Sequence, residues 1–99
     1  MTLRPLHETR VHREELTRRA VADVMLAQIS RKRLRQTDVA RRSGVARSFL
    51  QALLRAEKSV SLHVCLEIGH GLGFDKDDEF LRAVLERRAE LRKHARGPE

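Results

Sequence analysis

The residues of this chain best placed to do chemistry are arginines. The stretch "RRSGVARSFLQALLRAEKS", residues 41–59, sets four arginines and a lysine around a glycine and a leucine-rich, helix-like run. From residue 30 to 58, nine basic side chains (Arg31, Lys32, Arg33, Arg35, Arg41, Arg42, Arg47, Arg55 and Lys58) stand against Asp38 and Glu57, a net of +7. That is the formal charge of the whole chain; the remaining twelve basic and twelve acidic groups cancel. Like charges crowded this way repel one another, and a polyanion such as a phosphate backbone is the partner that relieves them. A solvated face that merely keeps the chain soluble is the plainer alternative.

Other reactive residues are scattered. His63 and His70 share a helical face, but no carboxylate or thiol joins them at ligand spacing, so no metal site is expected. The single cysteine, Cys65, permits no disulfide framework and falls on an inward helical face. "GHGLG" at 69–73 imitates a phosphate-cradling loop, yet no strand precedes it and no Gly-Lys-Ser/Thr follows. Small residues that let helices pack closely explain it better. No serine–histidine–acid set and no paired carboxylates can be assembled. The expectation is a non-enzyme with no catalytic residues and no cofactor.

The elements that position the arginines are expected to be helices. Ninety-nine residues suit a single domain. The aromatics are Phe49, Phe74 and Phe80 alone, so the core must be Leu, Val, Ile and Ala. No apolar run approaches the roughly 20 residues that cross a bilayer, and MTLRPLHETR has no signal-like apolar region. A cytoplasmic protein is expected. The apolar spacing predicts five helices and no strand. The first covers about 13–31, with Leu16, Ala20, Val21, Val24, Met25, Gln28 and Ile29 inward. The second covers 36–43 and stops at Gly44; the third covers 46–56, with Phe49, Leu50, Leu53 and Leu54 inward. Ser61 is expected to cap a fourth of 62–72, closed by Gly73. Asp75 is expected to cap a fifth of 76–95, acidic in its first turn (Asp77, Asp78, Glu79) and basic in its last turns (Arg87, Arg88, Arg92, Lys93, Arg96).

"QTDVARRSGVARSFLQALLR", residues 36–55, resembles the helix-turn-helix of the Cro/C1-type (XRE-like) repressors, with Ala40 at the closest approach and Gly44 in the turn. "SLHVCLEIGHGLGF" is similar to that family's following helix, so the likeness covers about residues 20–75. It implies an all-α fold, a compact five-helix lambda-repressor-like DNA-binding domain with a longer C-terminal helix. The organisation would be a flexible leader (1–12), the DNA-binding domain (13–75, motif 36–55) and a C-terminal helix with a short tail (76–99). Carried over by position, the resemblance places Arg47, Ser48, Gln51, Ala52 and Arg55 against base edges in the major groove. Arg47 suits a guanine and Gln51 an adenine. It places Gln36, Thr37, Arg41, Arg42, Ala46 and Lys58 against the DNA backbone, and makes the Arg31–Arg35 run position-holders at most.

The chain departs from the family at five positions. Ile29 and Leu54 stand where the family often has an arginine–glutamate pair, and are expected to touch instead. Arg33 replaces the usual glycine before the motif, and Arg35 and Ala46 replace hydroxyl caps.

Specific regulators of this kind double their contact by two-fold symmetry. The fifth helix, through Phe80, Leu81, Val84, Leu85 and Leu91, is the expected homodimer seam, with Val24–Met25–Leu26 as the other apolar excess. The function implied is a dimeric, sequence-specific transcriptional regulator of double-stranded DNA, a repressor reading an inverted repeat. Two other readings stay open. One is an antitoxin that neutralises a toxin and represses its own promoter. The other is an interaction module, binding a co-regulator, whose motif no longer binds DNA. RNA suits the chain less, because it has no exposed aromatic set for stacking bases.

Overall fold

The computed structural model describes residues 9–95, so the expected features at 1–8 and 96–99 lie outside the described residues. Five helices form one globule, with no strand among the described residues: α1 (Arg10–Lys32), α2 (Gln36–Ser43), α3 (Arg47–Leu54), α4 (Leu62–Gly71) and α5 (Glu79–Ala95). The all-α expectation holds. No helix among the described residues is long and apolar enough to cross a membrane.

Two helix starts differ from expectation by three residues each, for local reasons, and α3 ends at Leu54, two residues short of expectation. Residues 10–12, expected in the leader, belong to α1, because the Thr9 hydroxyl accepts the His12 N–H at 3.2 Å and caps the helix early. Asp75 does not cap α5. Residues 75–78 form bends and turns, the Lys76 N–H donates to the Glu79 carboxylate at 2.8 Å, and the helix starts at Glu79. Ser61 does cap α4, accepting from the Val64 N–H at 3.2 Å.

Helices α1 to α4 stop by one shared device. A residue in left-handed backbone is followed by an N–H that reaches back five residues: Leu34 to Ile29, Val45 to Ala40, Glu57 to Ala52 and Phe74 to Gly69. The left-handed residues are Arg33, Gly44, Ala56 and Gly73.

The core is aliphatic, as the composition requires. Leu16, Ala20, Val21 and Met25 of α1 meet Val39, Ala40, Leu50, Leu53, Cys65, Ile68 and Leu72, and Phe80, Val84 and Leu91 of α5 complete the cluster. Each large side chain buried here contributes on the order of 1.5–3 kcal/mol of transfer free energy. Val24, Ile29, Phe49 and Leu54 are half-buried against it.

α1 packs chiefly against α5, and α2 against α4. Polar bonds fasten the first pair: Arg87 Nε donates to Asp23 at 2.9 Å, and Arg88 Nε donates to the Thr17 hydroxyl at 2.8 Å. Bonding to Asp23 holds the Arg87 guanidinium more firmly protonated than usual. α4 packs closely through glycine, against α5 as well as α2. A Cβ at Gly69 would lie 2.9 Å from Phe80 Cβ, and one at Gly71 would lie 2.0 Å from Ser43 Oγ and 2.8 Å from the Val39 carbonyl oxygen. The "GHGLG" run therefore serves close packing, towards α5 at Gly69 and towards α2 at Gly71.

The same packing corrects the expected seam. Phe80, Val84 and Leu91 are buried inside the chain's own core and are not on offer to a second copy. Leu81 is half-buried, and only Leu85 stands out, 55% exposed. The apolar stripe of α5 is used up by α1 and α4, which leaves no continuous face on that helix.

Candidate nucleic-acid interface

α2 and α3 are eight-residue helices joined by Gly44, Val45 and Ala46. Gly44 has φ 72, a left-handed value that glycine adopts without a Cβ clash. Val39, Ala40 and Ser43 of α2 and Leu50 and Leu53 of α3 are buried, which fixes how both helices are rotated.

Rotation decides which side chains point away from the core. On α3 and at its end, Arg47, Ser48 and Arg55 are exposed and Gln51 and Ala52 half-buried. At positions i, i+1, i+4, i+5 and i+8 they share one helical face. All five residues expected at base edges are thus brought together. On α2, Thr37, Arg41 and Arg42 are exposed and Gln36 is half-buried at the first turn; Ala46 and Lys58 are exposed in the flanking segments. Arg41 bonds Asp38 at 2.8 Å, in an exposed pair of the kind that contributes little to stability. Among the described residues, Arg33, Arg35, Arg42, Arg47, Arg55 and Lys58 meet no carboxylate within bonding distance.

Neither helix has a side-chain cap. Arg35 and Ala46 hold the N-cap positions with extended backbone, and the side chain of neither supplies an acceptor, although the Arg35 carbonyl takes the Asp38 N–H at 3.0 Å. The first turns of α2 and α3 therefore keep free donors beside unpaired guanidinium groups, an arrangement that favours anions.

No family model, no curated protein and no solved structure matches this chain. What the surface can do rests on its own side chains.

Two supports of the interface are less visible in the residue pattern. Gln28 is 2% exposed; its amide donates to the Leu72 carbonyl at 3.1 Å, and its oxygen accepts from Arg31. Its place within an apolar stripe was the available signal. Ser43 presses against Gly71; it stands four residues after Val39 and three after Ala40, on their buried face, and that spacing was its signal. Elsewhere, His63 and His70 are both exposed. Among the described residues no three His, Cys, Asp or Glu side chains gather where a metal ion would sit. Cys65 is buried, and burial pushes its thiol above the ordinary value.

Proposed function

We propose that this chain is a sequence-specific double-stranded DNA-binding transcriptional regulator, a repressor that docks in the Cro/C1 manner with α3 in the major groove. The observation that carries the reading is the outward face of α3 and its surroundings: Arg42, Arg47, Arg55 and Lys58, exposed and unpaired, around short or polar side chains. The whole net charge of the chain lies in the segment that forms this face.

Size agrees with the reading. Eight residues of helix are about 12 Å long, comparable with the roughly 12 Å width of the major groove. Arg47, at the start of α3, offers a planar fork to guanine O6 and N7, and Gln51 one turn later offers an amide to adenine N6 and N7. Gln36, Thr37, Arg41, Arg42, Ala46 and Lys58 serve the phosphates, which set register without reading sequence. The regulator acts as a two-fold dimer in this reading, with half-sites about one helical turn apart. Exposed apolar residues that could form its seam include Leu62, 64% exposed, and Leu85, beside half-buried Val60 and Leu81, and, on α1, Val11 and Leu26.

Selection from random duplex DNA at about 0.15 M salt, with wild type and Arg47→Ala in parallel, tests this. An inverted repeat should be enriched, and Arg47→Ala should lose about 1–3 kcal/mol on it and blur one base position. Arg42→Ala should weaken every duplex alike and flatten the salt slope by about one unit. If wild type enriches no sequence above random, the reading is wrong.

A further inference from the structure

Arg33 and Arg35 are placed against local backbone preference. Of the four helices that stop on a left-handed residue, two use glycine, and Ala56 carries a methyl group; Arg33, at φ 53, carries a full side chain. Left-handed backbone is unfavourable for any residue with a Cβ. Two positions later, Arg35 holds the N-cap of α2, where Ser, Thr, Asp or Asn would accept a first-turn N–H. A guanidinium has no acceptor to offer. Two neighbouring positions therefore each hold arginine where another residue would make a more stable fold.

Nothing among the described residues compensates. Both side chains are exposed and make no hydrogen bond or ion pair among the described residues. Their neighbours behave differently: Arg31 donates to the Gln28 side chain, and Lys32 Nζ donates to the Gly73 carbonyl at 3.3 Å. No acidic residue occurs between Asp23 and Asp38. Solubility alone does not explain the choice, because an arginine on any open helix face would serve it without backbone strain. Positions that break a local rule without a structural return are where function is expected.

We propose that the α1–α2 connection is a second DNA contact, with Arg33 and Arg35 gripping the phosphodiester backbone beside the groove that α3 occupies. Two cations tied to the fold brace the connection, and two untied ones reach outward from it. Guanidinium forks match phosphate oxygens and read no sequence, so this contact adds grip and salt dependence without adding specificity. The inference rests on the DNA reading above.

The test compares wild type with Arg33→Gly, Arg35→Ser, the double variant, and Ala56→Gly as a control that relieves the same backbone strain with no change of charge. Thermal midpoints and affinities are measured on the selected duplex and on random duplex across a salt series. All four variants should melt a few degrees higher than wild type. The double variant should bind both duplexes more weakly by a similar factor, with a salt slope smaller by nearly two units. Ala56→Gly should bind as wild type does. A double variant that keeps wild-type affinity and slope overturns the inference while leaving the DNA reading intact. A loss confined to one base position overturns it too. A wild type that binds no duplex at any salt removes the DNA reading, and this contact with it.

Discussion

Gly71→Ala sets two familiar effects against each other. Alanine is the better helix former, by up to about 1 kcal/mol in a helix interior and less at the last residue of a helix. Against that, the new Cβ would lie 2.0 Å from Ser43 Oγ, 3.2 Å from Ser43 Cβ and 2.8 Å from the Val39 carbonyl oxygen. The hydroxyl can rotate away, but the carbonyl belongs to the backbone of α2, so that helix must move. Overpacking of this kind costs about 1–3 kcal/mol, sometimes more. The clash wins, and the net loss is about 1–3 kcal/mol. For a domain of this size each kcal/mol is worth about 4–8 °C in melting midpoint, so a fall of roughly 5–20 °C is expected. Urea denaturation followed by far-UV circular dichroism measures the free energy directly. Ser43→Ala sharpens the reasoning. Ser43 Oγ is buried without a hydrogen-bond partner, so its removal alone should be neutral or stabilising by up to about 1 kcal/mol. In that background Gly71→Ala should cost less, leaving a coupling on the order of 1 kcal/mol. A Gly71→Ala protein as stable as wild type would refute the close contact of α2 with α4.

Other expectations follow from buried and exposed groups. Gln28→Leu should cost about 1–3 kcal/mol, because the Leu72 carbonyl loses its buried donor; a change within a few tenths would mean that water replaces the amide. The thiol of Cys65, raised above its ordinary value of 9.0 by burial, contributes stability that is complete below that pH and fades as pH rises through the folded value. Alkaline unfolding of Cys65→Ala should therefore lack part of the decline seen in wild type, and native wild type should react slowly with a thiol reagent at pH near 8. Leu62→Asp with Leu85→Asp should convert a sedimenting dimer to monomer, and an unchanged mass would place the seam elsewhere.

Much of the fold was legible because helix signals here are local. Ser61, Gly44 and Gly73 act where short-range chemistry says they should, and the inward residues of α1 and α3 follow from spacing alone. The misreadings arose where distant packing or competing caps decide. Asp75 looks like an N-cap, but the Glu79 carboxylate takes the Lys76 N–H and starts the helix later. Phe80, Val84 and Leu91 looked like surplus apolar surface because periodicity cannot tell how much of a stripe the rest of the chain will cover. Ile29 and Leu54, expected to meet, are both half-buried against the core, on helices that pack together. In the candidate interface the exposed arginines could be named from charge and spacing. The left-handed backbone of Arg33 has no sign in the residue itself; only the resemblance, which puts a glycine at that position, points to it.

The orientation of the exposed α2–α3 face depends on α4, a helix that contributes no side chain to it. Near the C-terminal end of α4 three contacts converge: Gly71 against Ser43 and Val39 of α2, the Leu72 carbonyl on Gln28 of α1, and the Gly73 carbonyl on Lys32. α2 is therefore located by a short backbone segment held between two helices, and α3 follows through a three-residue turn. Small packing changes at residues 71–73 then tilt the α2–α3 unit as one body, because close-packed interfaces do not deform continuously. Gly71→Ala should lower affinity for the selected duplex by a larger factor than for random duplex, at a temperature where it is still folded. Base edges require a side-chain fork placed within about 0.5 Å, whereas phosphate contacts tolerate more displacement. Equal losses on both duplexes would show that α4 supports stability alone and does not aim the face of α3.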